Sequence, residues 1–247
     1  GFSGTPSNNI PLELAPCAYE KGDDARMLQY LTDPAVASVR HVERAWTVNT
    51  ILDMVATADP PYHALIDTGA LITGFSNKQV ASILLSNGLG AWCEGVVFLD
   101  ANDEKMVLVK SSGRVVKLSQ CGLPLEKRFA FYDQIHTTGM DIKHCLSARA
   151  ALTLGKDMVF RDYAQGAFRM RGIGAGQCVS MMVIPEVEEL MRRQLSKAGM
   201  VRVGRGTQRE LLSDVAAWLV INSMRTERVQ FDQLCGQNLA NLDRKST

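Results

Sequence analysis

The chain has 247 residues, 46% of them hydrophobic and 21% charged, which excludes a disordered tail, a collagen-like fibre and a coiled-coil rod. Its 27 basic and 26 acidic side chains leave a formal charge of +1, so bulk charge draws it to neither nucleic acid nor an anionic membrane. The six cysteines are widely scattered, with no CxxC pair, and read as buried thiols of a reducing, intracellular compartment, cytoplasmic or nuclear.

Residues 1–24 are rich in Gly, Pro, Ser and Asn and read as turns. Residues 24–57 read as helical. Asp24 is the expected N-cap, the Asp33-Pro34 step is a break, and a second helix is expected through Val39, Val42, Trp46, Ile51 and Val55. His63–Ile66 reads as a buried strand and Thr73–Ser76 as a turn. Ser76 or Asn77 then caps a helix through Val80, Ile83 and Leu84. Gly95–Asp100 is the next strand, and Met106–Val109 with Val115–Leu118 flank Lys-Ser-Ser-Gly-Arg as a hairpin. Phe129–Tyr132, Ala150–Leu154 and Cys178–Ile184 follow as strands, with a helix over Asp162–Met170 between the last two. Pro185 starts a helix through Val187, Leu190, Met191 and Leu195. Further helix is expected over Glu210–Met224 and over 228–240.

Apolar strands alternating with helices predict an α/β fold: a mostly parallel sheet with helices on both faces. Ligands of such sheets bind beyond the carboxyl ends of the strands, so the loops that follow strands carry the functional weight. Three segments stand out: FSGTPSNN (residues 2–9), HTTGMDI (136–142) after the strand FAFYD, and QGAFRMR (165–171) after AALTL.

In order and separation these three resemble the second RecA-like lobe of a superfamily 2 helicase. Gly4 and Thr5 match the motif that ends the first lobe, HTTGMDI the fifth motif and QGAFRMR the sixth. The resemblance implies a RecA-like, P-loop-NTPase-like lobe at residues 61–185. Residues 1–60 would be an interlobe segment with helices, and 186–247 a C-terminal helical extension. It implies that Arg169 is an arginine finger on the γ-phosphate of ATP, with Arg171 a second finger or a phosphate clamp. A planar, permanently charged guanidinium suits that role. Gln165 would orient water or a first-lobe Asp. Thr137, Thr138 and Gly139 would touch nucleic-acid backbone or ribose, where small side chains permit close approach. Asp141 would contact the ribose or hold the fingers.

The family spaces its two arginines three apart, whereas here they are two apart. No GxxxxGK[ST] loop occurs, so ATP and Mg²⁺ are expected to be bound mainly by an upstream lobe, and this chain alone is expected to be inactive. The first residues, Gly-Phe-Ser-Gly-Thr, carry no initiator methionine, and the expectation is a piece of a larger parent whose upstream RecA-like lobe is its partner. Nucleic acid or a protein are the further partners implied, and no membrane.

In wording, FYDQIHTTGMDI and AALTLGKDMVFRDYAQGAFRMRGIGAGQ look like a family of very large fungal and protist proteins. These carry domains of unknown function and are often catalogued as ubiquitin thioesterases. That likeness implies the alternative of a helicase-like scaffold or protein-interaction module in a ubiquitin-pathway protein. Cys145 beside His144, nine residues from His136, invites a thiol-hydrolase role, but adjacent side chains rarely face one another. The run Gly172-Ile-Gly-Ala-Gly176 precedes a strand, unlike a dinucleotide fingerprint, and reads as a helix terminator. Arg192, Arg193, Lys197, Arg202, Arg205 and Arg209 form the one basic concentration, a phosphate-backbone footprint or a solvated helix end.

Overall fold

The computed structural model describes residues 21–137, 141–201, 204 and 206–246. Among these, eight strands form one sheet. They are β1 (Ala37–His41), β2 (Ala64–Ile66), β3 (Gly95–Leu99), β4 (Lys105–Val109), β5 (Val115–Lys117), β6 (Arg128–Tyr132), β7 (Arg149–Thr153) and β8 (Cys178–Val183), in the order β1-β8-β7-β2-β6-β3-β4-β5. Every pairing from β1 to β3 is parallel, and β4 and β5 close one side as an antiparallel hairpin. The protein is therefore α/β with a mostly parallel sheet. All residues of β2 and β3 are buried, so both faces of the sheet centre are covered, as continuous apolar strands require.

Helices α1 (Asp23–Leu31), α2 (Val48–Ala56), α3 (Asn77–Ser86), α4 (Phe160–Ala167), α5 (Pro185–Lys197) and α6 (Gln208–Ser246) complete the described elements. Ser76 caps α3 in a reciprocal box with Gln79, as its position after a turn suggests, and Thr47 caps α2 with Thr50. Pro185 opens α5 at the carboxyl end of β8, where its missing N–H costs nothing. No described helix is long and apolar enough to cross a membrane.

Four local expectations are corrected. Gly22, not Asp24, precedes α1, and Asp24 lies inside that helix. The helix expected through Val39, Val42 and Trp46 is strand β1 followed by a loop. Val39, Val42 and Trp46 mimic helical spacing, but Ala37 and Val39 alternate inward against β8. Ser38 and Ser180 hydroxyls meet at 2.8 Å across that pair, and Ala45 adopts a left-handed φ of 61°, which stops a helix. The sheet therefore begins ahead of residue 61. The helix expected over Asp162–Met170 ends at Ala167, because Met170 must turn into the core, where it is fully buried. Finally, the two stretches expected near the C-terminus form the single helix α6. Its Gln208 side chain pairs with the main chain of Val39 on both sides, accepting at 2.8 Å and donating at 3.1 Å, so the open edge of β1 is covered.

From β2 the chain builds outward through β3, β4 and β5 and back to β6. It then crosses β2 to lay down β7 and β8 on the other side. The strand order thus reverses between β2 and β7, and the loops leaving their carboxyl ends part there, which opens a crevice.

Candidate functional site

The loop after β2 is held by one buried carboxylate. Asp67 accepts the backbone N–H groups of Leu71 and Ile72, each at 2.9 Å, and the Thr153 hydroxyl of β7 at 2.7 Å. Thr153 Oγ1 in turn accepts the Gly69 N–H at 2.9 Å. Burial raises the Asp67 carboxyl above its ordinary range, while these donors pull the other way. Inside the loop, Ala70 takes a left-handed φ of 55°.

The loop after β7 packs directly on it. A Cβ on Gly155 would sit 2.6 Å from Gly69 O, and one on Gly69 would sit 2.6 Å from Gly155 N, so both positions require glycine. A cavity of about 610 Å³ opens where these loops part, lined by Thr68, Gly155, Lys156, Thr137 and Gln165 among others. Asp67, Gly69 and Gly155 were not singled out in the sequence. Their signal was a glycine soon after each of two buried strands, in Asp-Thr-Gly and Leu-Gly-Lys.

The residues expected to carry function converge partly on this edge. Gln165 of α4 and Thr137 of the post-β6 loop face the same cavity, and Thr137 Oγ1 donates to Gln134 O at 3.1 Å. Arg169 and Arg171 lie in the turn beyond α4, where Arg169 N–H donates to Gly166 O. Arg171 Nε donates to Asp141 Oδ1 at 3.1 Å and Nη1 to Phe168 O at 3.0 Å, so this pair ties the post-β6 loop to the turn. Both partners are more than half exposed, so the tie is weak in energy. Arg169 is half-buried. Its burial and the neighbouring Arg171 lower its proton affinity, against Tyr132 and Asp141. Neither arginine is among the residues that line the cavity. Gly4, Thr5, Thr138 and Gly139 lie outside the described residues, as do Arg202 and Arg205.

Buried Tyr132 and half-buried His144 pair where the chain returns toward β7. The Tyr132 hydroxyl, at the end of β6, lies 3.0 Å from His144 Nε2. Burial pushes the Tyr132 phenol up, and burial with His63 nearby lowers His144 to about 4. His144 is thus neutral at neutral pH and turned to Tyr132. Cys145 beside it is buried. The imidazole lowered from 6.5 to about 4 contributes stability above its ordinary value and loses it as pH falls through that window. Urea unfolding should show wild type losing about 2–3 kcal/mol through this group between neutral pH and about pH 4. His144→Asn should lack that component; equal acid losses in the two proteins would contradict the assignment.

Among the described residues, no group of three His, Cys, Asp or Glu side chains is placed to hold a metal ion. Comparison with protein-family models, curated proteins and solved structures found no match to this chain.

Proposed function

We propose that this chain is the second, RecA-like lobe of a helicase-like ATPase motor. It supplies Arg169 and Arg171 to the phosphates of an ATP bound mainly by an upstream lobe. The observation that carries this is the Arg171–Asp141 contact, which joins two of the three motif segments at the carboxyl edge of a mostly parallel sheet. Gln165 and Thr137, from the same two segments, share the neighbouring cavity. The donor chemistry fits a phosphate: two guanidinium groups lie near enough for one to depress the other, and an added anion relieves that repulsion. Bound ATP with Mg²⁺ supplies the transferable phosphoryl group. The part played by this chain is to hold fixed positive charge against it.

A scaffold role, the binding of a protein partner without catalysis, is favoured by a different observation. From Met224 to Asn238 helix α6 is exposed throughout, with Phe231 and Leu234 on its surface. Nucleic-acid titration separates the two readings. Arg192, Arg193 and Lys197 are exposed in the last turns of α5, away from its start at Pro185. The motor reading expects single-stranded RNA to bind with affinity that falls steeply as salt rises. In Arg192→Glu/Arg193→Glu the log–log salt slope should fall by about two. Absence of salt-sensitive binding would count against a motor and for the scaffold.

A further inference from the structure

The residue that opens the HTTGMDI segment sits at a second place in the fold, between the carboxyl ends of β3 and β6. His136 is buried in the short turn Ile135–Thr137, and both of its ring nitrogens meet carboxylates. Nδ1 is hydrogen-bonded to Asp133 Oδ1, just after β6, and Nε2 lies 2.8 Å from Asp103 Oδ1 in the β3–β4 turn. Asp133 Oδ1 also accepts the His136 N–H at 3.1 Å, while Asp133 Oδ2 accepts Asn77 Nδ2 of α3 at 2.7 Å.

A neutral imidazole has one N–H and one bare lone pair. Facing a carboxylate on each side, it makes one hydrogen bond and one repulsive contact. Only the imidazolium donates to both. We propose that His136 is a proton-operated clasp: charged, it ties the β3–β4 turn to the post-β6 loop, and on losing its proton it lets Asp103 go.

Asp103 is the side that yields. It is 68% exposed, whereas Asp133 is held by Asn77 and by the His136 main chain. Asp103 itself takes a left-handed φ of 60° in a turn closed by its N–H on Asp100 O at 3.2 Å. The other charged groups around the turn are engaged elsewhere or across the cavity. Asp100 Oδ1 accepts the Asn102 and Glu104 N–H groups, and Lys105 donates to Asp141 O. Lys78 of α3 lines the cavity of about 620 Å³ that the clasp borders, along with Phe98, Met106 and Ile135. The two carboxylates hold the imidazole proton above its usual range against the effect of burial. With a raised value in the folded protein, the tie is complete below the ordinary histidine range and lost as pH rises through the folded value. Opening would free the start of the loop that carries Thr137 and Asp141. The clasp stands whether or not that loop serves a motor.

The test is imidazole and amide NMR on the full chain. Below the ordinary histidine range both ring nitrogens of His136 should report as protonated, and the midpoint should lie above 6.5. Asp103→Asn, at an exposed position that leaves the core untouched, should lower that midpoint by about one pH unit. Amide protection of residues 101–104 and 134–137, corrected for intrinsic exchange, should fall by up to about fivefold as wild type passes its midpoint. In Asp103→Asn, whose amide can accept from the charged ring or donate to the neutral one, protection should no longer change with pH. A midpoint at or below 6.5, a midpoint unmoved by Asp103→Asn, or wild-type protection constant through the titration would each overturn the clasp.

Discussion

Gly155→Ala is expected to cost about 3 kcal/mol or more of folding stability and to lower the melting temperature by about 6–12 °C. The single added methyl would stand 2.6 Å from Gly69 O and 3.0 Å from Gly69 Cα, and neither neighbour is the movable end of a side chain. To make room, the post-β7 loop must withdraw from the post-β2 loop. That loop is pinned by the three donors on Asp67, so the strain cannot dissipate without breaking buried hydrogen bonds. Gly69→Ala should behave alike, since its Cβ would meet Gly155 N at 2.6 Å. Gly122→Ala is the control: its Cβ would find nothing within 4 Å, and it should melt like wild type. Thermal unfolding of the three variants decides the matter, and a Gly155→Ala protein as stable as Gly122→Ala would contradict the close packing at the strand-order reversal.

The second large effect concerns Arg169. If its guanidinium meets the γ-phosphate of ATP held by another lobe, its removal should cost on the order of 10³-fold in ATP turnover, the lower end for an arginine finger. Arg171→Ala should cost less. Arg171 is more than half exposed and already engages Nε with Asp141 and Nη1 with Phe168 O, so its charge on the phosphate is better screened by water and its contribution smaller. Arg169→Lys should recover only a fraction of the loss, because a point charge does not reproduce the planar two-pronged donor.

Much of the sheet was legible from sequence. Ala-Leu-Ile, Gly-Val-Val-Phe-Leu and Phe-Ala-Phe-Tyr are apolar runs too short for helices, and they are β2, β3 and most of β6. Strand β1 was hidden because it lies at an edge with Arg40 and His41 exposed, leaving too few inward positions to outweigh a helical spacing that runs on into Trp46. The end of α4 was hidden because Met170 keeps the apolar period while belonging to a turn. At the site, the segments were visible and their partners were not. Nothing local announces that Arg171 meets a carboxylate 30 residues away, that His136 reaches Asp103 across 33, or that Asp67 bonds a threonine 86 residues on. Those contacts are set by strand order, which periodicity does not encode.

The proposal stands or falls on one comparison: ATP turnover of the protein that carries both lobes, with Arg169 intact and as Arg169→Ala, each verified as folded by its melting curve. The motor reading expects a loss on the order of 10³-fold. Turnover within about twofold of wild type, less than one ordinary hydrogen bond is worth, would contradict it.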